Sequence, residues 1–294
     1  MSKIKFSRRG FLGAVTATTG LALASPALAA GGLNRPDVII GWTPWTDAEV
    51  ITKLAAHVLR DHAGKDVELT LADIGAQFRT VASGDIDLMM MSWEPGLHRK
   101  YLQKHEGKLV DLGVLYQGTI GLAVPSWVPA DLLNSIEDLN KPDVQEALGG
   151  KITGIDPGAG LMATTKVAMT DYGLSGYELT EGTGPKMQRT IAKAKKAEKA
   201  VVVTAWRPHM KFEIYGMRYL EDPKGIYADE SQIHARASNA FVDREPEIAD
   251  IIRRMNLEIP QIEAIMTQGR DIGVDEAISA WMAQNEDTIA SWVN

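Results

Sequence analysis

The sequence predicts an α/β protein of two lobes with a helical tail, and three observations carry that prediction. Residues 38–91 alternate short apolar runs with amphipathic stretches in the order β-α-β-α-β, which implies a parallel sheet covered by helices. A second α/β series occupies residues 152–220, and residues 245–293 read as helices. A length of 294 residues suits one large domain or two of ordinary size.

The elements follow in order. Residues 1–30 read as an export signal outside the fold. Lys3, Lys5, Arg8 and Arg9 form a charged start, Phe11 to Ala24 a mild apolar stretch, and Ala27-Leu28-Ala29 a small-residue cleavage site. Ser7-Arg8-Arg9-Gly10-Phe11-Leu12 is similar to a twin-arginine (Tat) signal. The apolar stretch is shorter than the ~20 residues that span a bilayer. Val38–Gly41 is then a buried strand. Asp47 to His62 is a helix with Val50, Ile51, Leu54, Val58 and Leu59 on one face. Val67–Leu71 alternates as a strand, Gln77–Ser83 is a short helix stopped by Gly84, and Ile86–Met91 is a third strand. Leu109–Leu115 and Thr119–Val124 are extended segments joined by Gln117-Gly118.

In the second series Ile152–Ile155 is a strand, Leu161–Tyr172 a helix and Met187–Lys199 a basic amphipathic helix with a solvated lysine face. Val201–Thr204 is a buried strand and Tyr215–Leu220 a short one. Ala235–Val242 reads as a strand, and Glu245–Asn256, Pro260–Gln268 and Val274–Val293 as helices. A tail that packs back on the first lobe would make that lobe discontinuous.

Composition narrows the function. The chain carries a net charge of −7, and without its first 29 residues 27 basic residues face 38 acidic ones, a charge of −11. Such an acidic body argues against a nucleic-acid partner, since phosphate contacts need surplus basic charge. Cysteine is absent, which removes disulfides, thiolate nucleophiles and Cys-based metal sites. No nucleophile elbow, zinc-protease helix or phosphate-binding loop occurs, and the six histidines lack helical metal-ligand spacing. No cofactor or metal is expected, and the chain leans toward binding rather than catalysis.

Three of the seven tryptophans share one context. Trp45 follows the first strand, Trp93 the third, and Trp206 the Val201–Thr204 strand. Each stands just past the carboxyl end of a predicted parallel strand, the edge at which open α/β sheets bind ligands. Indole faces converging on one point suit a large, weakly hydrated cation, because the ring quadrupole attracts positive charge. A quaternary ammonium has no N–H to satisfy, so rings serve it better than carboxylates do. Three unconnected structural tryptophans are the alternative.

Four motifs then occur in order. They are Trp45-Thr46-Asp47; Gly84-Asp85-Ile86-Asp87 through Trp93-x-Pro95; Gly154-Ile155-Asp156-Pro157-Gly158-Ala159-Gly160; and Trp206-Arg207-Pro208-His209 with Tyr219-Leu220-Glu221-Asp222-Pro223. With them the mature chain resembles the substrate-binding proteins of glycine betaine/choline-type ABC transporters, the OpuAC/ProX-like group. The resemblance implies a type II periplasmic binding protein fold: two α/β lobes, two crossover segments and a ligand cleft between them. It places lobe I at residues 30–118 plus 224–294 and lobe II at 119–223, after a signal peptide cleaved near Ala29.

The resemblance further implies that Trp45, Trp93 and Trp206 form an ammonium cage. His209 and the backbone N–H groups of Gly158, Ala159 and Gly160 become candidates for a ligand carboxylate. Asp47 matches the acidic residue that meets the hydroxyl end of choline in choline binders; capping of the following helix is its other reading. The choline-type pattern has an Asn where Ala159 stands and a cage Tyr near Ile120, and Tyr116 is the nearby candidate to replace that ring. The expected protein is a periplasmic, monomeric receptor, not an enzyme. Its partners are a quaternary ammonium ligand, glycine betaine first, and the transmembrane permease. Receptors for choline, carnitine or trimethylamine N-oxide, and a periplasmic enzyme on the same scaffold, are the alternatives.

Overall fold

Short apolar runs alternating with helices build the sheet that carries the site. The computed structural model describes residues 35–227 and 231–294; the expected export signal lies outside them. Strand β1 (Val38–Trp42) is flanked by two parallel neighbours, β2 (Val67–Leu71) and β3 (Leu88–Glu94). Helix α1 (Thr46–Ala63) connects the first pair, burying Val50, Ile51, Leu54, Val58 and Leu59 against the sheet side. It ends at Gly64, whose φ of 63° suits a residue without Cβ. Helix α2 (Ile74–Ser83) starts three residues before the expected Gln77, because the Asp73 carboxylate accepts the Ala76 N–H and caps it.

Helix α3 (Arg99–Lys104) follows β3, and then comes β4 (Leu109–Val124), one 16-residue strand rather than two segments. Its partner changes midway: Leu109–Gly118 pairs antiparallel with β9, and Thr119–Ala123 with β7. Gly118 sits at that change. A Cβ there would lie 2.7 Å from the Trp93 ring and 2.9 Å from the Arg207 carbonyl oxygen, so glycine lets the strand pass between them.

A 3-10 turn (Ile136–Asn140) and α4 (Pro142–Leu148) lead to β5 (Lys151–Thr153). Helix α5 (Gly160–Asp171), β6 (Glu178–Thr180), α6 (Gly184–Lys196) and β7 (Val202–Arg207) complete a second half-sheet. Strands β5, β6 and β7 are mutually parallel in the order β7-β5-β6. The expected strand over Tyr215–Leu220 is shorter. Helix α7 (Lys211–Tyr215) fills its start and breaks at Gly216, leaving β8 (Arg218–Tyr219) on the free edge of β4.

Strand β9 (Ser231–Ser238) returns to the first half-sheet between β3 and β4. It stops before the expected Val242 because the Ser238 hydroxyl accepts the Phe241 N–H and starts α8 (Asn239–Arg244). Helices α9 (Pro246–Arg254), α10 (Ile259–Ile272), α11 (Val274–Gln284) and α12 (Glu286–Val293) finish the chain. The last two replace one expected helix. Asn285 breaks it, its side chain donating to the Trp281 carbonyl, and the break lets Trp292 stack on Trp281 at 6.2 Å. Strand order is β2-β1-β3-β9-β4-β7-β5-β6, with β8 beside β4.

Candidate functional site

The sheet brings three distant tryptophans to one place. Trp45 ends the turn after β1 and precedes α1, Trp93 lies near the end of β3, and Trp206 near the end of β7. All three line one cavity and are 6%, 3% and 4% exposed. Ile120 of β4, Ile155 after β5, Leu97 after β3 and Leu161 of α5 add apolar wall. Every ionised side chain stands outside that lining.

Each indole is anchored through its ring N–H or its backbone. Trp45 Nε1–H donates to Asp156 Oδ2 at 3.0 Å, and Trp206 Nε1–H to Asp47 Oδ1 at 3.0 Å. The Trp93 backbone N–H donates to His98 Nδ1 at 3.0 Å. Its ring rests on Gly118. Buried N–H groups with partners in place carry no desolvation penalty into ligand binding. A cis bond precedes Pro95 and Pro208, the prolines that follow Trp93 and Trp206 by two residues.

Asp47 is fully buried in the first turn of α1; the cap position itself belongs to Trp45. Its carboxylate accepts from Trp206 Nε1–H and, at 2.8 Å, from the Tyr116 hydroxyl. Burial pushes this carboxyl up, and the Tyr116, Trp206 and helix N–H donors pull it back. Tyr116 is buried too, its hydroxyl pushed well above 10 by burial and by Asp47. Neither residue lines the cavity: Asp47 holds the Trp206 indole, and Tyr116 holds Asp47.

The turn before α5 divides. Ala159 and Gly160 line the cavity, whereas Gly158 lines a depression on the other side of Trp45 and its carbonyl accepts the Tyr101 hydroxyl at 2.9 Å. No side chain caps α5; the Met162 N–H donates to the Ala159 carbonyl, and the first residues of the helix, Gly160 and Leu161, line the cavity. A Cβ on Gly160 would run into the Leu97 carbonyl, so glycine is what lets α5 approach the segment after β3.

His209 is fully buried and packs edge-on against Trp206, ring centroids 4.7 Å apart. Its Nδ1 accepts the Lys211 N–H, and its own backbone N–H donates to Glu263 Oε1. Burial, then the Lys211 charge, push its imidazole well below 6.5, so the ring is neutral with Nε2–H as its donor. It stands beside Trp206 rather than in the lining. Glu263 of α10 also takes both Arg207 donors, at 2.9 and 2.6 Å, which ties the Trp206 loop to the helical tail.

His98 is a site residue that the sequence pattern did not single out. This fully buried ring lines the cavity beside Trp45, edge-on to Phe78 and Tyr101. Its signal was its place five residues after Trp93, close enough to accept that residue's N–H. Burial, with Lys100 adding, lowers its pKa to about 3. The unfolded chain takes this proton near 6.5, so the ring leaves stability untouched above that pH. As pH falls from 6.5 toward about 3 it costs up to ~1.4 kcal/mol per unit. Urea unfolding at pH 7 and pH 5 should show wild type losing more stability than His98→Asn; equal losses would contradict this account. Among the described residues no His, Asp or Glu cluster could hold a metal ion, and no helix is long and apolar enough to cross a membrane.

A family model for OpuAC, the substrate binding domain of ABC-type glycine betaine transport systems, matches residues 36–284. The chain belongs to this family. It is 32% identical to the glycine betaine/carnitine transport binding protein GbuC of Listeria monocytogenes over 158 residues, 52% of each chain. The match thus spans about half the length of that curated relative. The solved structure of lactococcal OpuAC, closed and complexed with glycine betaine, matches with a TM-score of 0.80 and 28% identity, over 87% of this chain and 99% of that one. ProX from Borrelia burgdorferi matches with a TM-score of 0.79 and 25% identity, over 87% and 96%. The fold is that of the type II periplasmic binding proteins, as OpuAC-like chains share it.

Proposed function

We propose that the chain is an exported receptor that captures a quaternary ammonium solute, glycine betaine, between Trp45, Trp93 and Trp206. The convergence of these three indoles on one apolar cavity carries the reading. A trimethylammonium group needs a large apolar surface of negative potential and no hydrogen-bond acceptor, and indole faces supply both. The other end of the ligand meets the first turn of α5. Ala159, Gly160 and Leu161 lie there at an uncapped helix N-terminus, which favours a carboxylate. Choline fits less well. Its hydroxyl would want an acceptor, and both Asp47 oxygens are already used by Trp206 and Tyr116. Ile120 stands where a choline-type cage would hold a tyrosine.

In this reading residues 30–118 plus 224–294 form one lobe and 119–223 the other. Trp45 and Trp93 then face Trp206 across a cleft, and the ligand stabilises the closed state because only that state offers all three rings. The loaded form docks on the transmembrane subunit of an ABC importer. Residues 1–29 direct the chain to the periplasm through the Tat route, where it acts as a monomer and breaks no bond. Calorimetry of the mature chain against glycine betaine, choline, carnitine and trimethylamine N-oxide tests this. One-to-one binding of glycine betaine, with the ligand recovered unchanged, is expected. A tighter choline, carnitine or N-oxide complex would reassign the solute, turnover would make the protein an enzyme, and no binding would overturn the receptor.

A further inference from the structure

Behind the cavity, Lys211 is unusual. This lysine at the start of α7 is fully buried, and its Nζ has no hydrogen-bond partner. The ammonium instead lies 3.7 Å from the centroid of the Trp206 ring and 6.0 Å from that of Phe212. It is not part of the cavity lining, so the same indole carries the cavity as one neighbour and a lysine as another. A buried ammonium without an acceptor is costly, and the compensations here are the ring's negative face and a counter-charge. The counter-charge is Asp47, bonded to Nε1 of that same indole.

We infer that Lys211 is a specificity-determining residue that selects net-neutral zwitterions over net cations, by cancelling the charge of Asp47 behind the cage. This rests on the receptor reading above. Lysine and aspartate together contribute no net charge, whichever of them holds the proton. Tyr116 and His209, the other titratable groups against the pair, are neutral. Glu263 is matched by Arg207, and Asp156, at the Trp45 end, is partly solvated. A zwitterion therefore closes into a site whose buried charges already balance. A bare cation adds an uncompensated buried charge, on an indole whose electrons Lys211 already draws. Lys211 and Asp47 both titrate and both lie against the same buried indole, so an incoming cation is most cheaply accommodated by expelling a proton from the pair.

The test compares glycine betaine with choline by calorimetry on the mature chain and on Lys211→Met, with Lys211→Gln as a second variant. Removing the ammonium leaves Asp47 uncancelled, so the affinity ratio should move toward choline by at least fivefold in a folded variant. A ratio that stays within fivefold overturns the inference. Wild type alone gives a second readout, should neither variant fold. Heats measured in buffers of different ionisation enthalpy should show proton release with choline and none with glycine betaine; equal proton counts overturn the inference. Wild type that binds neither ligand removes the receptor reading and this inference together. Wild type that binds glycine betaine, with an unmoved ratio, removes the inference alone.

Discussion

Trp206→Ala should weaken glycine betaine binding by about 2 kcal/mol or more, roughly thirtyfold. The residue loses one wall of the cavity, and with it the cation–π attraction and the apolar area of the largest side chain. It also loses the Nε1–H that Asp47 accepts and the ring face beneath Lys211. Part of the loss will therefore appear as reduced stability of the ligand-free protein. Trp93→Ala separates the two effects. The Trp93 ring has neither attachment, so its removal should weaken binding comparably with a smaller fall in stability. Calorimetric affinities beside ligand-free urea unfolding read both quantities. Unchanged affinity in the two variants would contradict the cage.

The second large effect is on stability. Asp47→Ala should destabilise the ligand-free protein by about 3–5 kcal/mol, because breaking a buried charged pair strands its partners. Three groups lose their acceptor or counter-charge together: Trp206 Nε1–H, the Tyr116 hydroxyl and the Lys211 ammonium. Each is buried, so water cannot replace the carboxylate without opening the core. Asp47→Asn keeps one amide oxygen as acceptor and removes the charge, and should cost less than alanine. Urea unfolding at pH 7 checks both. A loss below about 1 kcal/mol for the alanine variant would show that Asp47 does not hold this cluster together.

Residue pattern made the first three strands and their parallel order legible. Each strand is a short apolar run, and α1 shows its buried face in the spacing of Val50, Ile51, Leu54, Val58 and Leu59. Trp45 stands past the end of β1 as expected, whereas Trp93 and Trp206, expected just past their strands, are the next-to-last residues of β3 and β7, because both strands run on further than their apolar runs. Local signals could not show that β9, more than 130 residues after β3, inserts between β3 and β4. Nor could they show that β4 continues through Gly118, because the strand's partners lie in two different parts of the chain.

The support behind the cage was less legible for the same reason. Asp47 reads locally as a helix-capping residue, and its actual partners are 69 and 159 positions away. Lys211 lies between the expected strands Val201–Thr204 and Tyr215–Leu220, where the sequence predicts no element. Its burial comes from the turn that folds α7 under Trp206, a tertiary effect with no periodic signature. His98 has no metal-ligand spacing, and its role comes from an N–H five residues earlier in a turn that only the fold defines.

The most direct measurement is the crystal structure of the mature chain grown with glycine betaine. The ligand nitrogen should lie within about 6 Å of the centroids of Trp45, Trp93 and Trp206, with the carboxylate at the first turn of α5. A ligand bound elsewhere, or one whose methylated nitrogen meets fewer than two of those rings, would contradict the account.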